Sequence, residues 1–205
     1  MFDARVARSD LRRFRRRGPS RPTRRLVEAL RAEGVRDGQV LDVGGGVGAV
    51  AFSLLAAGVR AVTAVDASRA YLEAAEEEAV RRDVHGRMSF HHGDFVALAS
   101  QLGDADVTTL DRVLCCDPDM PGLIRASTGR TRALYGAVYP RRAFWTRWGA
   151  WTVNLALRLR GSAMRVYVHD PSAIERHVTT AGFRRRFAHQ GLLWRVEVYR
   201  RTSPA

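Results

Sequence analysis

Val40-Leu41-Asp42-Val43-Gly44-Gly45-Gly46-Val47-Gly48-Ala49 is a short apolar run that passes into a glycine cluster and then into a helical pattern. Glycine lets the backbone turn sharply and approach a ligand closely, and the free amides of the following helix start favour a polar or anionic group. The stretch therefore reads as a strand, a turn and a helix that cradle a nucleotide-like cofactor.

Two patterns overlap on these residues. As G-x-G-x-x-G/A, Gly44, Gly46 and Ala49 fit a dinucleotide fingerprint, with Asp66 placed to hold a ribose. As D-x-G-x-G-x-G, the segment from Asp42 to Gly48 uses more of the residues, an acid followed by three alternating glycines. Downstream of Gly48 the apolar runs and helical periodicities alternate strictly. Strands are predicted near 39–43, 61–65, 87–91, 106–110 and 134–139, and helices near 47–58, 68–82, 95–101 and 120–132. Short apolar strands separated by helices predict a doubly wound α/β sheet, and 205 residues suffice for one domain with a substantial core.

Met1 is followed by an arginine-rich stretch with no apolar signal region, and the most apolar window, Ala49 to Val65, is interrupted by Arg60. A bridge between the adjacent Cys115 and Cys116 is geometrically demanding, so they are expected to be buried thiols in a reducing cytoplasm. The net charge is +13 and all 34 basic residues are arginine. Residues 1–25 carry ten Arg against Asp3 and Asp10, residues 33–120 seven Arg against fifteen acids, and residues 121–183 ten Arg against two acids. The cofactor core is thus acidic between basic flanks. For any single arginine a solvated surface is the ordinary reading, while the run Arg12-Arg13-Phe14-Arg15-Arg16-Arg17 is dense enough to attract an anion.

Asp66 closes the second apolar run, where an acid can accept bonds from ribose hydroxyls; the alternative is a helix cap, which Ser68 also offers. Gly93-Asp94-Phe95 follows the third, and there too Asp94 is either a ligand residue or a cap. With Asp42 and the alternating glycines, these acids make the chain resemble the class I S-adenosylmethionine-dependent methyltransferases. That resemblance implies a Rossmann-like, doubly wound seven-stranded sheet, mostly parallel with an antiparallel C-terminal strand, with helices on both faces. The runs Phe183–Phe187 and Leu192–Tyr199 supply the last strands. It implies S-adenosylmethionine as cofactor, without a metal, held by Asp42, Gly44, Gly45, Gly46, Gly48, Asp66, Ala67, Asp94, Phe95 and Asp111. It divides the chain into a basic helical segment, 1–25, and a methyltransferase domain, 26–205, with a helical substrate-side insertion near 141–160.

The acceptor side is read from what is present and absent. Asp111 is followed by Arg-Val-Leu, so the N/D-P-P-Y/F motif of base-directed enzymes is missing, as is a Pro-Cys nucleophile. Asp117-Pro118-Asp119 reads as a turn before a helix. Phe144, Trp148, Trp151 and Leu155 recur at helical spacing; such a stripe is usually core, and its position after strand five also suits an apolar lid or a membrane surface. The insertion and Arg165-Val-Tyr-Val-His-Asp-Pro171 resemble magnesium-protoporphyrin O-methyltransferases and related small-molecule enzymes. Together these readings lead to O-methylation of a small, partly apolar, anionic acceptor such as a carboxylate. His169 and Tyr139 are the candidate bases for a hydroxyl acceptor. Peripheral membrane contact is a further expectation. The competing readings are an RNA methyltransferase using the terminal arginines, and a noncatalytic cofactor- or partner-binding protein.

Overall fold

The computed structural model describes residues 4–162 and 164–202. Seven strands form one sheet: β1 (Gln39–Val43), β2 (Ala61–Asp66), β3 (Met88–His92), β4 (Ala105–Asp111), β5 (Thr131–Pro140), β6 (Phe183–Gln190) and β7 (Trp194–Arg201). Their order is β3-β2-β1-β4-β5-β7-β6, with β7 antiparallel to both neighbours and all other pairs parallel. This is the mixed seven-stranded sheet that the resemblance implied, built on the doubly wound α/β pattern read from the apolar runs. Helix α6 (Met120–Gly129) stops at a glycine and β5 begins two residues later, so the strand takes up positions that helical periodicity extended to 132.

Alternation along the strands builds two cores. Val40, Val62, Leu134 and Val138 face one side, and Leu41, Val65, Tyr135 and Tyr139 the other. The first side is covered by α1 (Ala4–Arg17), α2 (Arg21–Ala32), α3 (Ala49–Ala56) and α4 (Arg69–Arg81). The second is covered by α5 (Phe95–Leu98), α6 and α8 (Pro171–Thr180). Gly136 makes α2 fit, since a Cβ there would lie 2.7 Å from Leu26 Cδ1. The outer strand β6 exposes Arg184, Arg185 and Arg186, a charged edge that resists further strand pairing.

The expected boundary at 25/26 falls inside α2, and α1 buries Ala7, Leu11 and Phe14 in the same core as Leu26 and Val50. The basic segment is thereby an integral layer. Ser20 caps α2 by accepting from Thr23 N, and Phe14 stacks on Phe52 of α3 with ring centroids 6.1 Å apart. A single buried carboxylate, Glu78 of α4, ties these pieces together, accepting from Arg15 of α1 at 2.7 Å and from Arg81 and Arg82. Burial alone would raise its pKa, yet the bonds from Arg81, Arg15 and Arg82 outweigh that and lower it to about 2.

A folded-state pKa below the ordinary 4.5 means that the stabilisation is complete above pH 4.5 and lost as pH falls toward 2. Glu78→Gln is expected to lower stability at neutral pH by about 2 kcal/mol, the scale of a lost charged hydrogen bond. Thermal melts of the two proteins are expected to converge as pH falls from 4.5 to 2.

Candidate active site

The strand order reverses between β1 and β4, where diverging connections leave a crevice at the carboxyl ends. The glycine turn leaves β1 at that point. Gly44, Gly46 and Gly48 have φ of 62°, 55° and 79°, a left-handed conformation that side chains resist. Gly44 N donates to Val65 O at 2.7 Å, holding the turn against β2, and α3 starts directly after Gly48. Gly45 is required for another reason: a Cβ there would lie 2.8 Å from Asp42 Oδ2.

A cavity of about 1210 Å³ opens on this crevice. It is lined by Asp42, Gly44, Gly45, Gly46, Asp66, Ala67, Asp94, Phe95 and Asp111, nine of the ten residues expected to hold a cofactor. Gly48 is the exception. It turns the chain into α3, with Phe52 packed where its Cβ would stand, and it does not line the cavity.

The carboxylates are held in distinct ways. Asp66 Oδ2 accepts from Gly46 N at 2.9 Å and Oδ1 from Ser68 N at 2.8 Å, so this acid fixes the glycine turn while facing the cavity. Burial nonetheless pushes its pKa above the usual value, against those two bonds. Ser68 makes no side-chain cap. Asp94 does cap α5, Oδ1 accepting from Val96 N at 2.7 Å and Ala97 N at 3.3 Å, and it lines the cavity as well, so both readings of this residue hold in geometry. Asp111 Oδ2 accepts from Thr23 Oγ1 at 2.6 Å and Oδ1 from Arg112 Nε at 3.0 Å. Asp42 is fully buried; Thr109 Oγ1 donates to its Oδ1 at 2.7 Å, while Oδ2 has no partner among the described residues. Burial pushes its pKa up to about 7, only partly countered by Thr109.

The far wall comes from elements remote in sequence. Asp10, Arg13, Phe14 and Arg17 of α1 lie over the cavity, as do Gly18–Ser20. Tyr71 of α4 donates to Asp10 Oδ2 at 2.6 Å and so latches α1 to the layer beneath. Tyr71 was legible in principle, being one turn into the helix that follows Asp66. Trp194 had no such local signal, because the antiparallel pairing of β7 with β5 brings it to the crevice. Arg112 lies under Trp194 at 6.0 Å in a left-handed conformation of φ 64°, rare for a side-chain-bearing residue and concentrated at functional sites.

Neither candidate base lines the cavity. Tyr139 is 1% exposed and donates to the buried carboxylate of Glu197, which also accepts from Tyr199 at 2.6 Å and pairs with Arg195 at 2.7 Å. Burial and that carboxylate drive the Tyr139 phenol well above its ordinary pKa, and it serves the core. His169 stacks on Tyr167, and its Nε2 lies 3.0 Å from Asp117 O just before α8, which Asp170 caps. Cys115 and Cys116 both line the cavity with sulfurs 3.8 Å apart; Cys115 is buried as expected, but Cys116 is partly accessible. The bond between them lowers the Cys116 pKa and raises that of Cys115.

The state of Asp42 has a measurable consequence. Its folded pKa lies above the ordinary 3.8, so the folded protein gains stability from it below pH 3.8 and loses that gain as pH rises to about 7. Asp42→Asn, which keeps an acceptor for Thr109, is expected to raise the melting temperature of the ligand-free protein above pH 7. At 1.36 kcal/mol per pKa unit the gain is up to roughly 4 kcal/mol. Differential scanning calorimetry at several pH values is expected to show the two proteins converging toward pH 4.

Residues 40–130 match the family model described as a methyltransferase domain. No curated protein sequence matches the chain. Among solved structures, magnesium protoporphyrin IX methyltransferase from Synechocystis PCC 6803 with bound SAH aligns at 20% identity and TM-score 0.70, over 88% of this chain and 82% of that one. The same enzyme with bound SAM gives 18% identity and TM-score 0.67, over 88% and 78%. An O-methyltransferase family protein from Burkholderia thailandensis gives 16% identity and TM-score 0.75; the alignment covers 97% of this chain and only 59% of that longer one. The strand order and the glycine turn agree with these alignments: this chain has the Rossmann-like fold of its methyltransferase structural neighbours, and its residues 40–130 are similar to a methyltransferase domain.

Proposed function

We propose that this protein binds S-adenosylmethionine and methylates an oxygen of a small, partly apolar, anionic acceptor, a carboxylate in the first instance. The observation that carries the reading is one continuous cavity with a lining of two kinds. It joins the glycine turn, Asp42, Asp66 and Asp94 to Arg13, Arg17, Arg69 and Arg112, with Trp194 and Met164 beside them. At about 1210 Å³ the cavity exceeds the roughly 300–1,000 Å³ of ordinary ligand pockets, leaving room for two molecules.

The residues present fit the cofactor. The buried, unpartnered Asp42 Oδ2 suits a cationic amino group, and the glycine positions keep open a cradle that a Cβ would fill. Asp66 retains acceptor capacity on each oxygen for ribose hydroxyls, and Asp94 keeps an oxygen beyond its cap for an amino donor. When bound, S-adenosylmethionine supplies an electrophilic methyl group.

The chain's own contribution is to position and to exclude water. Helix α1 roofs the cavity through Asp10, Arg13 and Phe14, anchored by Tyr71 and Glu78. Arg17 pairs with no carboxylate among the described residues, whereas Arg13 is bound to Asp10 at 2.6 Å and Arg112 to Asp111 at 3.0 Å. Arg69, which also lines the cavity, likewise has no carboxylate partner among the described residues, so Arg17 of α1 and Arg69 of α4 are the cations available to an acidic acceptor. With Tyr139 and His169 both outside the cavity, an acceptor whose oxygen is already ionised suits the site, since it needs no proton removed. A cytoplasmic location belongs to the same proposal, consistent with two unpaired thiols.

Isothermal calorimetry is expected to show binding of S-adenosylmethionine and none of NAD; the reverse result overturns the cofactor reading. In a methyl-transfer screen with labelled cofactor against tetrapyrrole and other carboxylates, phenols and RNA, carboxylates are expected to be the acceptors used. Arg17→Gln is expected to raise KM for a carboxylate about tenfold, the worth of one charged hydrogen bond, with cofactor affinity unchanged. An equal rise for neutral phenols counts against charge recognition.

A further inference from the structure

Helix α7 (Phe144–Leu159) follows β5 and carries the aromatic stripe whose ordinary reading is core packing and whose position also suited an apolar lid or a membrane surface. It does not pack in the core. Phe144 is 80% exposed, Trp148 69%, Trp151 59% and Leu159 80%, with Leu155 also in solvent; at 100° per residue these five side chains fall within one narrow face. Only Leu157 of this helix is buried. Single exposed apolar residues are ordinary, but a contiguous aromatic face of this size marks a contact surface.

The face is extended by the β6–β7 turn. Trp145 Nε1 donates to Leu192 O at 3.3 Å and Arg141 N to Leu193 O at 2.8 Å, which seats α7 beside a turn whose Leu192 and Leu193 are themselves exposed. The charge around it is predominantly positive. Residues 140–169 contain Arg141, Arg142, Arg147, Arg158, Arg160 and Arg165 and no Asp or Glu; Arg142 pairs with Asp170 at 3.3 Å, and the other five have no carboxylate partner among the described residues. Arg147 and Arg158 border the aromatic stripe on the same side of the helix, and both are exposed.

We propose that α7 and the Leu192–Leu193 turn form a docking surface for an anionic lipid bilayer, with Phe144, Trp148, Trp151, Leu155 and Leu159 entering the interface and the arginines meeting headgroups. Apolar residues on one face with arginines at its margin are the pattern of helices that lie in the plane of a membrane interface. A second copy of this chain is a poorer occupant, because it would set the same five arginines, none with a carboxylate partner among the described residues, against one another. No helix among the described residues is long and apolar enough to cross a membrane, so the contact is peripheral.

The surface is continuous with the cavity. Asn154 of α7 exchanges two hydrogen bonds with Val166, at 2.7 and 2.8 Å, and the neighbouring Tyr167 N donates to Cys115 O at 2.7 Å. Met164 and Trp194, next in sequence to these contacts, line the cavity itself. Docking would therefore place the cavity mouth against the bilayer, where apolar molecules partition. The binding itself does not depend on which acceptor is used.

Flotation of the whole protein with vesicles of phosphatidylcholine, alone or mixed with phosphatidylglycerol, tests this surface. Co-flotation is expected with the mixed vesicles, weakening as salt rises, together with a blue shift of tryptophan emission. The double variant Trp148→Ser/Trp151→Ser is expected to lose at least about tenfold in partitioning, by removal of the apolar anchor, with its melting temperature unchanged because both side chains stand in solvent. Arg147→Gln/Arg158→Gln is expected to reduce the preference for anionic vesicles. Three results overturn the proposal: no co-flotation at low salt, undiminished binding by the tryptophan variant, or a dimer that this variant abolishes in a protein that ignores vesicles. None of these readouts involves the cofactor, so failure to bind S-adenosylmethionine would strike the proposed reaction and leave this surface standing.

Discussion

The architecture depends on a turn that needs three left-handed residues within five. At the end of β1 the chain must leave the sheet, pass beneath a ligand and begin a helix, and Gly44, Gly46 and Gly48 permit this without the clash that a Cβ brings. Once the turn is fixed, the connections leaving β1 and β4 diverge, and the crevice at the carboxyl ends of these paired strands becomes the place where acidic strand ends converge. Asp66 stabilises the arrangement from the neighbouring strand by bonding to Gly46 N, so one carboxylate both shapes the cradle and faces its contents. Asp42, beneath Gly45, shows the cost of that geometry: a buried carboxyl with one bonded oxygen and a pKa near 7.

The rest of the molecule closes that crevice by electrostatics as much as by packing. Glu78 collects Arg15, Arg81 and Arg82, while Phe14 stacks on Phe52 beneath Arg82, 5.0 Å from each ring. Arg15 thereby links the basic N-terminus to the acidic middle of the chain, pairing with both Glu77 and Glu78 of α4. A second buried acid, Glu197, repeats the device at the other end of the sheet, drawing Tyr139, Tyr199 and Arg195 into the core.

How much of this was legible follows from the range of each interaction. Gly44 to Gly48 and Asp94 act within a few residues of themselves, through backbone angles and a helix cap, and so leave a local mark in the sequence; Asp66 also reaches Gly46 N, 20 positions back, which local pattern does not show. Gly48 was the exception, since being required for the turn is different from touching its contents. Tyr139 was read, with His169, as a candidate base for a hydroxyl acceptor. Its phenol is instead committed to a carboxylate 58 positions away, which local pattern does not reveal. The stripe on α7 was legible as a stripe; that it faces water could only be seen once the sheet and its helices had completed their cores without it.

The sequence by itself determined the alternation of strands and helices, the glycine turn and the acids that follow it, because these depend on propensity, periodicity and steric freedom within short windows. Only the tertiary structure decided that α1 is a roof, that Trp194 and Cys116 reach the cavity, that His169 and Tyr139 do not, and that an aromatic helix stands outside. Those outcomes turn on which side chains meet across long separations in the chain. Pairing between distant strands and burial of a few charged groups fix them, and neither leaves a local mark.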